Sequence, residues 1–553
     1  LLLTKQVITA SLLFAIAIPA SAQMAGMAAQ EKSAPPAKLF DGMGTLHHPI
    51  ATTNPEAQNF FDQGLTLVYA FNHAEAVRSF QRAAELDPRE PMPHWGIALA
   101  LGPNYNADQV DASAEKAAFD EIQKAKSLEA TAPDAERAYV DALARRFSID
   151  PKADYHALAR DYANAMRDLS HRYPDDPDAG TLFAESMMDL NPWQLWTTDG
   201  TPSPGTEEIV ATLESVLRRA PNHVGANHFY IHALEASPFA ERALPSAQRL
   251  ETLVPNAGHL VHMPAHIYIR TGDYDAAAKS NVVAVEVDKQ YLRDRQITNP
   301  AYAIGYANHN IHFLSAAAAM DGNFELAFSS AKELESEARA ALSEMSGAEG
   351  FLPTPIFVLL RFAHWDEVLA LPAPDAKLAG LNFFWHYARG CAFAAKNQAT
   401  QADSELAAMD PIYKQLPAGP AFGMLYSDWS TIHDLAAHSL NARIAYARGN
   451  SASAIEHWRA AVAAQDKMRY DEPADWYYPI RESLGAALLR SGQPAEAEKV
   501  FREDLARNPR NPRSLFGLWK SLEAEKSSDA AWLKASFEAA WKGKQGELSL
   551  ENF

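Results

Sequence analysis

Four stretches of this chain obey one spacing rule. "RTGDYDAA", "MDGNFELA", "ARGNSASA" and "RSGQPAEA" place Gly272, Gly322, Gly449 and Gly492 five residues before Ala277, Ala327, Ala454 and Ala497. Seven residues before each glycine stands a small or unbranched residue: Ala265, Ser315, Ala442 or Gly485. The intervals share one physical reading. The glycine accepts the left-handed backbone angle that ends a first helix, the small residue lets that helix approach a second one closely, and the alanine falls where the second helix crosses. Around the turns, apolar residues rich in Ala and Leu recur with 3.6-residue spacing, and no sustained period-two alternation is present. The pattern predicts an all-α chain of repeated helical hairpins. With 553 residues, 48% of them hydrophobic, such a chain can bury a sizeable core.

Near the start, "FFDQGLTLVYAFNHAEAVRSFQRAAELDP" adds Gly64, Ala76, Phe80, Ala83 and Pro88 in the same register. "SLGAALLRSGQPAEAEKVFREDLARNP" repeats it with Gly485, Ala497, Phe501 and Pro509. These residues, with a period of about 34, resemble the tetratricopeptide repeat over roughly residues 55–525, with strong copies separated by insertions and degenerate ones. The resemblance implies an α-solenoid of stacked helix-turn-helix units, forming a right-handed superhelix with a concave face. An N-terminal array over 54–345, carrying the histidine-rich concave face, and a C-terminal array over 346–553 are expected. Such arrays serve many roles, so function has to be read from particular residues.

Residues 1–22, "LLLTKQVITASLLFAIAIPASA", carry a lysine, an apolar run and small residues ending in "ASA", the pattern of a secretory signal peptide. Residues 23–53 are expected to form a flexible linker and N-terminal arm, and the protein to be periplasmic or secreted. No later stretch reads as a membrane span. The net charge of -20, without clustered Lys and Arg, argues against a nucleic-acid partner. Cys391 is the one cysteine, which excludes an internal disulfide and a thiolate zinc knuckle; its helical, small-residue context suggests a buried thiol.

Histidine carries the strongest chemical signal. Counting the small residue as position 8 and the turn glycine as position 15 puts His259, His262 and His266 at positions 2, 5 and 9. His309 and His312 take positions 2 and 5 of the next unit, and the 50-residue steps from His259 to His309 and from His262 to His312 match the step from Gly272 to Gly322. One unit earlier, "NHFYIHALE" places His228, His232 and Glu235 at positions 5, 9 and 12. Steps of three and four residues share one helix stripe, and the tetratricopeptide resemblance implies that this stripe lines the concave groove. Imidazoles from neighbouring helices, about 8–10 Å apart axis to axis, can meet at metal-bonding distance.

Histidines with carboxylates and no thiolate suit a transition metal such as zinc, copper or iron. His228, His232, Glu235, His259, His262, His266, His309 and His312 are the candidate ligands, with Glu185 and Asp189 of "FAESMMDLNPWQLW" as additional ones. Seven imidazoles exceed the needs of one tetrahedral ion, which leaves room for two ions or for proton-carrying histidines in an enzyme. The alternative is a peptide- or protein-binding groove that uses neutral histidines as hydrogen-bonding groups. No His-Glu-x-x-His, nucleophile elbow or phosphate loop marks a particular reaction.

Four further features stand out. Pro264 interrupts a ligand-bearing helix, at a cost of about 3 kcal/mol if truly interior and little if it falls in a first turn. His47 and His48 read as a mobile surface segment or as a lid that supplies a ligand. Trp193 and Trp196 read as packing residues or a pocket wall. The aromatic stretch "YDEPADWYYPIRESLG" over 470–485, with Trp476, Tyr477 and Tyr478, reads as inter-repeat packing or as a binding surface.

Overall fold

The structure, a computed structural model, describes residues 37–107, 110–150, 152–295, 302–423, 427–544 and 548–553. The expected signal peptide and residues 23–36 of the expected linker lie outside the described residues. Among the described residues no strand forms, and only three isolated bridges occur. The chain is an all-α series of antiparallel hairpins. Pro55–Tyr69 pairs with His73–Leu86, Asn308–Asp321 with Phe324–Ala341, Trp429–Ala447 with Ser451–Gln465, and Ile480–Arg490 with Pro494–Arg507.

The spacing rule has a direct physical counterpart. A Cβ built on Gly64 would come within 2.6 Å of the Phe80 ring, and one on Gly485 within 2.5 Å of the Phe501 ring, so the first helix of each hairpin lies against the aromatic of the second. The turn glycines Gly272, Gly322, Gly449 and Gly492 have φ of +77, +96, +76 and +76, the left-handed angle expected for them. Pro264 does not lie inside a helix. The helix breaks into Gly258–His262 and Pro264–Thr271, and Pro264 takes a first-turn position where its missing N–H matters little.

The apolar core forms two large clusters, one drawn from Ile50 to Ala317 and one from Val285 to Phe553. They meet on the helices Tyr274–Arg295 and Asn308–Asp321, which contribute residues to both. The middle of the array also touches its C-terminal hairpins. Tyr274 Oη donates to the Pro509 carbonyl at 3.2 Å, and Arg510 Nη2 donates to the Thr271 carbonyl at 3.0 Å.

Residues 37–53 run without helix over the first hairpins, and Asn54 caps Pro55–Tyr69. His48 is buried, with Nδ1 at 2.8 Å from Asp178 Oδ2, so this part of the arm is packed rather than loose. Cys391 is buried, and burial pushes its thiol up. No described helix is long and apolar enough to cross a membrane.

Candidate metal centre

The Val224–Leu234 helix is buried on every side, and His223 caps it by accepting the Ala226 N–H at 3.1 Å on Nδ1. That leaves His223 Nε2–H to donate to Asp178 Oδ1 at 2.9 Å. One and two turns on, His228 and His232 face the same way. His228 Nδ1 lies 2.6 Å from the Tyr69 carbonyl. A carbonyl only accepts, so Nδ1 carries the hydrogen and Nε2 presents its lone pair. His232 is set the same way by Glu235 Oε1, 2.7 Å from its Nδ1, and its Nε2 is buried without a hydrogen-bond partner. His259 Nε2 approaches His228 Nε2 at 3.1 Å. His228, His232 and His259 thus form one trio, each with a ring nitrogen within 4.8 Å of the others.

A second trio adjoins it. His262 Nδ1 lies 2.7 Å from Asn281 Oδ1. Asn281 Nδ2 donates to the Ala277 carbonyl at 2.8 Å, which fixes the amide's orientation and makes His262 Nδ1 the donor. His266 Nδ1 faces Glu235 Oε2 at 2.6 Å and Glu472 Oε2 at 3.3 Å. The Nε2 atoms of His262 and His266 stand 2.8 Å apart, and His309 Nε2 lies 3.2 Å from His262 Nε2. Two nitrogens on a tetrahedral ion at about 2.0–2.1 Å are about 3.3 Å from each other, close to these separations. The trios touch: the His232 and His266 rings are 5.8 Å apart and those of His259 and His262 5.9 Å.

Burial, then the neighbouring imidazoles, hold His228, His259 and His262 well below the ordinary histidine value, and burial does the same for His309. Neutral rings need lose no proton to bind a metal. His266 differs. Burial acts to lower it, but Glu235 and Glu472 outweigh burial and raise it, while His266 and His232 draw Glu235 down against its own burial. Aromatic rings exclude water around the trios. Phe71 lies 4.6 Å from His228 and 5.2 Å from His259, and Phe313 5.0 Å from both His262 and His266.

Four candidate ligands are placed differently from the sequence expectation. Glu235 stands behind the rings, with one oxygen on a histidine of each trio. His312 turns away from both trios toward Phe351, 5.5 Å between rings, and burial pushes it down to about 4. Glu185 and Asp189 are buried, but Asp189 pairs with Arg146, whose guanidinium also faces Glu185. That counter-charge, not the histidines, accounts for their burial. The stripe is also not an open groove, because the Tyr69–Phe71 turn lies across one side and Glu472 across the other.

Glu472, Phe71, Tyr69, Asn281 and Phe313 went unforeseen as parts of the centre. Phe71 carried a signal: it stands seven residues after Gly64, where the register calls for the turn glycine. Glu472 belongs to the unusual 470–485 stretch, much of which lines a cleft of about 1060 Å³. Trp193, Arg270, His312, Tyr470, Glu472 and Trp476 are among its walls. Trp193 reaches His232 at 5.5 Å and Glu472 reaches His266, so the cleft abuts the histidines. Trp196 instead donates its indole N–H to the Ala233 carbonyl at 2.7 Å, bracing the Val224–Leu234 helix.

The hairpin order, the glycine–aromatic contacts and the left-handed turns decide the fold. It is a tetratricopeptide-like α-solenoid. No family model matches the chain, and no curated protein sequence does. Among solved structures it is similar to the human IFIT1 dimer with m7Gppp-AAAA, at 13% identity and a TM-score of 0.31 over 89% of this chain and 91% of that one. It is similar to yeast Tom70 at 12% identity and a TM-score of 0.27, over 87% and 92% of the two chains. The APC/C hetero-tetramer Cut9–Hcn1 matches at 11% identity and a TM-score of 0.29, over 90% and 75%. Likeness at this level carries nothing about ligands.

Proposed function

We propose that this chain is an exported metalloprotein that holds a transition metal on the histidines of its solenoid. One observation carries the reading. The Nδ1 atoms of His228, His232 and His262 are each hydrogen-bonded to an oxygen and His266 Nδ1 faces Glu235 Oε2 at 2.6 Å, so four Nε2 atoms are aimed inward among themselves and the rings of His259 and His309. Among them His232 Nε2 is buried without a hydrogen-bond partner, at a cost of about 1–3 kcal/mol for an unsatisfied buried group, which a cation would remove. Oxygen acceptors behind the rings also match the usual support of metal-bound histidine, where a carboxylate or carbonyl holds the far nitrogen. Export rests on the leader-like sequence of residues 1–22.

Metal analysis of chain purified without an affinity tag tests the reading. Bound zinc, copper or iron that disappears in both His228→Ala and His262→Ala supports it. Background metal in the native chain, or metal unaffected by both changes, refutes it.

The cleft supports a second reading, a groove for a peptide or protein segment, because aromatic walls and charged side chains offer both apolar contact and hydrogen bonds. That reading expects partner capture to survive a chelator. Capture that is lost on chelation and restored by metal goes against it.

A further inference from the structure

We infer that the centre is a pair of sites, each a trio of histidines holding one monovalent copper ion, with Glu235 as the positioning residue common to both. The inference rests on the metal reading above and adds the number, charge and identity of the ions.

The count follows from the geometry. His228, His232 and His259 converge on one volume, and His262, His266 and His309 on another. Each trio is complete in itself: one pair of Nε2 atoms is 3.1 Å apart in the first, and two pairs are 2.8 and 3.2 Å apart in the second. A single ion with bonds of about 2.0–2.1 Å cannot reach six rings spread over two such volumes without losing the three-nitrogen geometry of both. The rings between the trios are nevertheless within 6 Å of each other, His232 to His266 at 5.8 Å and His259 to His262 at 5.9 Å, so the two ions would be close neighbours.

The charge follows from burial. A ring that binds metal is a neutral donor, and among the described residues two carboxylates reach the six rings, Glu235 and Glu472. Two monovalent ions would be balanced by those two carboxylates. Two divalent ions would leave an excess of positive charge in a buried, aromatic-walled volume, a penalty of several kcal/mol per uncompensated charge. Arg270, whose charge is felt by Glu472, already adds to the positive side. Among the metals that imidazole suits, copper is the one with a stable monovalent state, and that ion accepts three nitrogens without a fourth ligand.

The coupling follows from Glu235. Its Oε1 meets His232 Nδ1 at 2.7 Å and its Oε2 meets His266 Nδ1 at 2.6 Å, so one carboxylate orients a ring in each trio. Removing its charge should affect both ions together, whereas a ring lost from one trio should affect one ion.

Anaerobic titration of the full metal-free chain with copper(I), in competition with a colorimetric copper(I) chelator, reads the stoichiometry. Two ions per chain are expected, with an X-ray absorption spectrum showing three nitrogen neighbours at about 2.0 Å and no sulfur. His259→Asn and His309→Asn should each retain one ion, and Glu235→Gln should weaken both by about 10–100-fold. One copper ion per chain, two zinc ions in preference to copper, or a Glu235→Gln change that weakens only one ion overturns the inference while leaving the histidine-bound metal intact. Absence of any bound metal overturns both. The stoichiometry and spectrum of the native chain decide the matter even if a variant fails to fold.

Discussion

Phe71 holds φ of +55 where four other turns place glycine, a conformation that costs a bulky residue about 1–3 kcal/mol. Its ring lies against His228, His232 and His259. Phe71→Gly relieves the backbone but empties a buried ring volume worth about 3–5 kcal/mol, so a net loss of about 2 kcal/mol in unfolding free energy is expected in denaturant melts. Unchanged or raised stability would mean that the ring packs poorly against the histidines. Asn281 makes a different kind of contribution. Asn281→Leu leaves His262 Nδ1–H without its acceptor and the ring free to turn, and chelator competition should show metal held about 10–100-fold more weakly. Affinity equal to the native chain's would remove Asn281 from the account.

At the scale of helices and hairpins, most of the fold was legible because the repeat records its own close contacts. Gly64 and Gly485 are glycine because Phe80 and Phe501 lie where a Cβ would go. Gly485→Ala should therefore cost about 1–3 kcal/mol, read as a lowered thermal midpoint, since neither helix can retreat without opening the hairpin. A neutral Gly485→Ala would contradict the tight crossing. The same register brought six histidine rings to notice, because spacing by three and four residues fixes a helix face. It does not reveal what the opposing chain presents. His312 occupies the expected row yet turns toward Phe351, and Glu185 and Asp189 are claimed by Arg146, contacts that depend on packing and not on helix phase. Glu472 lies 206 residues beyond His266 in sequence, and no local pattern links them.

Across the whole molecule, Asp178 ties the N-terminal arm to the array and to the histidines. It accepts from His48, His223 and the Tyr69 hydroxyl, at 2.8, 2.9 and 2.6 Å, and the Tyr69 carbonyl in turn holds His228. Burial opposes the charge on Asp178, but His223 and His48 hold it well below the usual carboxylate range. Burial likewise acts to lower His48, and Asp178 outweighs it, so the ring is raised above 6.5. The signs then differ. Asp178 adds stability that is present above its unfolded value, about 3.9, and lost as pH falls through the folded one. His48 adds stability that is complete below 6.5 and lost as pH rises through its raised value. Hydrogen exchange over residues 37–53 should accelerate as pH climbs past that value, beyond the intrinsic rate increase, and His48→Gln should abolish the excess. An excess that survives His48→Gln would place the pH response elsewhere.

The central claim is that the histidine trios bind metal, and anomalous diffraction from crystals of the tag-free, metal-loaded protein tests it most directly. Data collected on either side of the absorption edge of the bound metal should show anomalous density at about 2.0–2.1 Å from the Nε2 atoms of His228, His232 and His259 and of His262, His266 and His309. Crystals of loaded protein with no anomalous density inside either trio would contradict it.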